Sequence, residues 1–127
     1  MSLSVLLVDD DPLMHEIFQT MLTHHGMSLQ AVRTGEGALN CLEKYQPNLI
    51  VVDIFMFGEN GFEVMRQIRQ SQLAPDCPIV ATTSYYSTFG VHEAFEHGFD
   101  AFLPKPFEAA ILVPYLEDIV QHWPIRY

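Results

Sequence analysis

A chain of 127 residues, 49% of them apolar, is long enough to close one sizeable core and too hydrophobic to remain disordered. Its formal net charge of −10, with only six lysines and arginines and no run of them, argues against a nucleic-acid surface and suits a soluble protein that attracts cations. No apolar stretch reaches the roughly 18 residues of a membrane helix and no signal-peptide pattern opens the chain, so the expected location is cytoplasmic, with Cys41 and Cys77 as free thiols and a single disulfide as the alternative.

Leu3 to Val8 reads as a buried strand that stops at three adjacent carboxylates, Asp9, Asp10 and Asp11. Asp11-Pro12 has the form of a helix start, a carboxylate cap followed by proline at the first helical position. That helix is predicted to run to His25 and end at Gly26, with Leu13, Ile17, Met21 and neighbours facing inward. Met27 to Val32 is a weaker strand. A second helix opens at Thr34-Gly35-Glu36-Gly37 and buries Ala38, Leu39 and Leu42; Pro47 follows its end. Leu49 to Val52, the most apolar strand, ends at Asp53. A loop holding Gly58, Asn60 and Gly61 leads to a helical stripe of Phe62, Val64, Met65 and Ile68. Pro78 to Thr82 is a fourth strand, residues 87 to 97 a helix closed by Gly98, and Ala101 to Leu103 a fifth strand. The last helix is expected from Phe107 to about His122, with Pro114 kinking it or delaying its regular part.

The pattern is βα repeated five times. Strands that are apolar throughout, rather than alternating, have both faces covered, which predicts a doubly wound α/β fold with a five-stranded parallel sheet in one domain, residues 1–127. In such sheets ligands sit beyond the carboxyl ends of the strands. Those ends carry Asp9, Asp10 and Asp11, then Asp53, then Thr83 and Ser84, then Lys105. Carboxylates, a hydroxyl and an ammonium group meeting at one edge fit a hard, oxygen-liganded cation and a phosphoryl group. A carboxylate attacking phosphorus forms an aspartyl phosphate, with the cation and lysine balancing charge on the transferred group. Asp11 belongs to the helix cap rather than the metal.

The segments VLLVDDDP, LIVVDIF, IVATTS and FLPKPF, in that order and spacing, resemble the receiver domain of two-component response regulators over nearly the full length. The resemblance implies the flavodoxin-like (βα)5 sheet with strand order 2-1-3-4-5. It implies Asp53 as phosphoacceptor, Asp10 as a direct Mg²⁺ ligand (Mn²⁺ being an alternative ion) and Asp9 acting through coordinated water. The Phe55 carbonyl would be a further metal oxygen, and Thr83 and Lys105 would bind phosphoryl oxygens. Phe102 takes the place of the switch aromatic, and Lys105-Pro106 that of a peptide bond that is typically cis. The implied partners are a histidine kinase or phosphotransfer protein and a downstream protein or output domain. A homodimer through the face of the fourth helix, fifth strand and fifth helix is also implied, with no direct nucleic-acid or membrane contact. Such a domain catalyses its own aspartyl phosphorylation and dephosphorylation without being a metabolic enzyme. This sequence departs from the family's frequent Met-Pro and Asp-Gly pairs with Met56-Phe57 and Asn60-Gly61, and Pro104 is unusual before the lysine.

Two other readings compete. Asp9-x-Asp11 after an apolar strand is similar to phosphohydrolases with an Asp nucleophile, although the chain has little room for substrate-defining insertions. A docking module that kept the fold without phosphorylation would not need the whole set of Asp10, Asp53, Thr83 and Lys105. The six histidines read as surface groups, Tyr85 and Tyr86 as loop packing, and Phe89, Phe95 and Phe99 as core.

Overall fold

The structure, a computed structural model, describes residues 3–83, 88–105 and 107–123, the side chains of residues 88–90 and 109 excepted. Ser84, Tyr85, Tyr86, the Phe89 ring and Pro106, and with it the Lys105-Pro106 peptide, therefore lie outside the described residues.

The chain runs β1 (Ser4–Val8), α1 (Pro12–His24), β2 (Ser28–Val32), α2 (Gly35–Leu42) and β3 (Leu49–Asp53). A short antiparallel ribbon, β4 (Phe55–Met56) and β5 (Glu59–Asn60), precedes α3 (Gly61–Ser71). Then follow β6 (Ile79–Thr83), α4 (Thr88–Glu96), β7 (Ala101–Pro104) and α5 (Ala109–His122). The five long strands form one parallel sheet in the order β2-β1-β3-β6-β7, which is 2-1-3-4-5 when the ribbon is set aside.

Successive residues of each strand point to opposite faces, and both faces are dry along β1, β3, β6 and β7, while edge strand β2 is partly exposed. Leu6, Val8, Ile50, Val52, Ile79 and Ala81 pack against the inner sides of α2, α3 and α4. Val5, Leu7, Leu49, Val51, Val80 and Leu103 pack against α1 and α5. This is why the strands read as unbroken apolar runs. Helix starts follow the local chemistry: Asp11, Thr34 and Asn60 each accept a backbone N–H from the first turn of α1, α2 and α3.

At three places the side-chain environment differs from the sequence reading. In α1 the buried stripe is Met14, Phe18 and Leu22, while Leu13 is 58% exposed. Leu13, Ile17 and Met21 form a neighbouring apolar stripe with the same four-residue spacing, one residue and about 100° away, so spacing alone does not choose between them. Phe95 is half exposed on α4, whereas Phe99 is buried. His15 is half-buried, and its Nε2 donates to the Asp9 carbonyl at 2.6 Å, since a carbonyl can only accept. Cys41 and Cys77 are both free, and burial pushes the Cys77 thiol up to about 12.

Candidate phosphoryl and metal site

Strand ends deliver the site. Asp9 follows β1 and its N–H is fixed by the Val32 carbonyl at 3.0 Å, continuing the β1–β2 ladder by one residue. Asp53 is the last residue of β3, in register with Thr82 of β6. Lys105 follows β7, and its N–H donates to the Thr83 carbonyl at 2.9 Å, continuing the β6–β7 ladder. The parallel register of the sheet thus brings three strand ends to one edge.

There Lys105 Nζ lies 2.8 Å from Asp9 Oδ2 and 3.3 Å from Asp53 Oδ2, with all three side chains at least nine-tenths buried. Asp9, Asp10 and Asp53 offer carboxylate oxygens within 4.8 Å of one another. Backbone amides meet the remaining charge: Asp11 N–H donates to Asp9 Oδ1 at 2.9 Å, and Phe55 N–H to Asp53 Oδ1 at 3.0 Å. Asp10 Oδ2 accepts from Phe57 N–H at 2.6 Å.

The electrostatics follow from burial. Loss of solvent raises the Asp53 carboxyl above its ordinary value; the Phe55 amide and the Lys105 charge pull it down, and the Asp9 charge raises it. For Lys105, burial works against the charged form. The hydrogen bond to Asp9 and the charge of Asp53 outweigh it, and the ammonium is held above its usual range. Three converging carboxylates with one lysine leave an excess of negative charge and an all-oxygen donor set, the chemistry of a hard divalent cation.

Among the described residues, those singled out by sequence fall as follows. Asp9, Asp10, Asp53 and Lys105 come together at one sheet edge. Thr83 is buried at the end of β6, next to the Lys105 backbone. Phe55 stands on β4, two residues beyond Asp53. Phe102 is buried on β7, and the Tyr115 hydroxyl donates to its carbonyl at 2.6 Å. A cleft of about 580 Å³ lined by Asp10, Phe55, Met56 and Phe57 opens beside the carboxylates.

Sequence reasoning passed over two contributors. Gly61 starts α3 with its N–H on the Ile54 carbonyl, and a Cβ there would collide with the Asp53 carbonyl oxygen and the Ile54 Cα. The Asn-Gly pair ahead of an apolar helical stripe was the available signal. Glu59 Oε1 accepts the Gly35 N–H at 2.9 Å and ties the ribbon to the first turn of α2; no pattern announced it.

The response regulator receiver domain model matches residues 5–117. The transcriptional regulatory protein AfsQ1 of Streptomyces coelicolor is 32% identical over 109 residues, covering 86% of this chain and 47% of that protein. The response regulator MprA of Mycobacterium bovis is 34% identical over 107 residues, covering 84% and 46%. The chain thus spans about half the length of the curated relatives it matches. Among solved structures, a putative response regulator from Chloroflexus aurantiacus superposes with TM-score 0.85 at 28% identity, covering 95% of this chain and 99% of that one. The chemotaxis response regulator CheY4 of Vibrio cholerae gives 0.84 at 25%, covering 94% and 99%.

Proposed function

Because this chain belongs to the response regulator receiver domain family, we propose that it is a phosphorylation-controlled switch in which Asp53 accepts a phosphoryl group from the phosphohistidine of a kinase or phosphotransfer protein. An Asp53 carboxylate oxygen attacks phosphorus and forms the acyl phosphate bond. The bond from phosphorus to the donor's imidazole nitrogen breaks, and its electron pair returns to the ring.

The observation that carries this reading is the Lys105 ammonium shared between Asp9 and Asp53, with Asp10 close by at the same sheet edge. Lys105 is placed to exchange a carboxylate for a phosphoryl oxygen, and the Thr83 hydroxyl is the second donor. The donor set fits Mg²⁺, held by Asp10, Asp53 and the Phe55 carbonyl, with Asp9 reached through coordinated water. When bound, the cation supplies positive charge to the transferring oxygens. Movement of Thr83 and repacking of Phe102 would carry the signal to the face of α4, β7 and α5, where exposed Phe95 and Ile111 offer apolar surface to an output domain, a downstream protein or a second copy. The proposal takes the chain as one receiver domain working in the cytoplasm. Among the described residues no helix is long and apolar enough to cross a membrane.

Asp9 is the rival nucleophile. Both carboxylates have both oxygens engaged, but Asp9 is fully buried where Asp53 is 6% exposed, and Lys105 lies closer to Asp9 (2.8 Å) than to Asp53 (3.3 Å), which supports Asp53 over a hydrolase built on Asp9. Mg²⁺-dependent labelling with acetyl phosphate, followed by peptide mapping, tests the choice. Asp53→Asn is expected to abolish labelling with the fold intact. Undiminished label mapped to Asp9 would replace this reading with the hydrolase.

A further inference from the structure

Each carboxylate of the cluster receives one backbone amide. For Asp9 and Asp53 the donor lies two residues on in the same loop. For Asp10 it is Phe57 N–H, 47 residues away on the turn between β4 and β5. Lys105 engages Asp9 and Asp53 but not Asp10, and among the described residues Asp10 Oδ1 makes no hydrogen bond. Asp10 is thus held at one oxygen and leaves the other for a ligand. We infer that the Phe57 peptide N–H is a positioning group that fixes the Asp10 carboxylate as a ligand for the divalent cation. The inference rests on Asp10 being a cation ligand.

Three observations make the amide, and not the ring, the working part. The Phe57 ring is 97% exposed, so packing does not place it. The turn is set by its neighbours: β4 and β5 pair Phe55 with Asn60 and Met56 with Glu59, and Glu59 anchors the ribbon to Gly35 of α2. Gly58 supplies the positive φ of +76° that closes the tight turn. A charge-assisted bond from a fixed donor stops the carboxylate from rotating, which lowers the entropy lost when a cation binds. Proline, frequent at this place in sequences this chain resembles, has no N–H to give. This chain has exchanged a ring restraint on the turn for a bond between turn and ligand.

The experiment measures Mg²⁺ affinity by titration calorimetry for the wild-type chain, Phe57→Ala and Phe57→Pro. Both variants lose the ring; only the second loses the N–H, at a turn position before a positive-φ glycine that proline tolerates. Phe57→Ala is expected to bind within about twofold of wild type, and Phe57→Pro to bind roughly tenfold more weakly than Phe57→Ala, the lower end for loss of a group that orients a metal ligand. Unfolding in EDTA should be similar for the two. In the wild type, hydrogen exchange of the Phe57 amide followed by NMR should be slow without Mg²⁺ and stay slow with it. Equal or tighter binding by Phe57→Pro overturns the inference and leaves the site reading intact. Exchange that accelerates on adding Mg²⁺ also overturns it, because the amide would then compete with the cation; this measurement decides even if Phe57→Pro does not fold. A wild-type chain that binds no Mg²⁺ overturns the site reading and the inference together.

Discussion

Asp10 carries the least compensated charge at the sheet edge. Lys105 serves Asp9 and Asp53, and Asp10 has only the Phe57 amide. Asp10→Asn keeps an oxygen for that amide and removes one charge from a cluster within 4.8 Å. In EDTA the variant is expected to be more stable than wild type by about 1 kcal/mol, because unfolding no longer relieves the same repulsion. Mg²⁺ should reverse the order, since it binds the folded wild type preferentially and the variant has lost a ligand. Urea unfolding of both proteins at matched ionic strength checks this. A less stable variant in EDTA would mean that the three carboxylates are not mutually strained, and equal responses to Mg²⁺ would remove Asp10 from the ligand set. Asp9, Asp10, Asp53 and Lys105 were legible in the sequence because a charge that ends an apolar run has few places to go. The amide of Phe57 was not, since every residue but proline has one and only the fold aims it.

Among elements, the ribbon and the start of α3 form the least forgiving junction. Gly61 lets α3 begin directly against the backbone of Asp53 and Ile54. Gly61→Ala is expected to destabilise the protein by about 1–3 kcal/mol, the usual cost of forcing atoms into packed space, and to slow labelling of Asp53 by shifting its strand end. Gly58→Ala makes the control. Its Cβ would meet nothing, and the cost is the positive φ alone, about 1 kcal/mol. Thermal unfolding of the pair, with labelling rates, distinguishes crowding from backbone strain; a Gly61→Ala protein with unchanged stability and rate would deny the close approach any role. Apart from the weaker β2, the long strands were readable because each is a largely apolar run closed by polar residues. The ribbon was not, because two-residue strands have no periodicity to detect. The start of α5 fell two residues later than its apolar pattern suggested. Phe107 is spent on an edge-to-face contact with Phe18, ring centroids 5.7 Å apart, and Glu108 caps the helix without a side-chain bond.

For the whole molecule, Lys105 is the one described cation that joins the ends of β1, β3 and β7. Lys105→Met keeps an apolar stem and leaves two buried carboxylates unpaired, a loss on the order of 3–5 kcal/mol at neutral pH in the absence of metal. The sign of its pH dependence follows from Asp53, whose folded carboxyl already sits above its ordinary value. Without the lysine it rises further. A carboxyl with a raised folded pKa costs stability as pH climbs above its unfolded value near 3.8, until the folded pKa is passed. The deficit of Lys105→Met should therefore be larger at pH 7.5 than at pH 5, as urea unfolding in EDTA would show. A deficit independent of pH would assign the effect to packing of the stem. The same contact also has a place in time. Lys105 follows Asp9 by 96 residues and Asp53 by 52. A ribosome completes the carboxylates of the site long before it makes the ammonium that pairs with Asp9 and Asp53. Until then the ion pair cannot exist, and the growing chain carries the acidity of the switch without its lysine. Assembly of the working edge thus waits until Lys105 has been made.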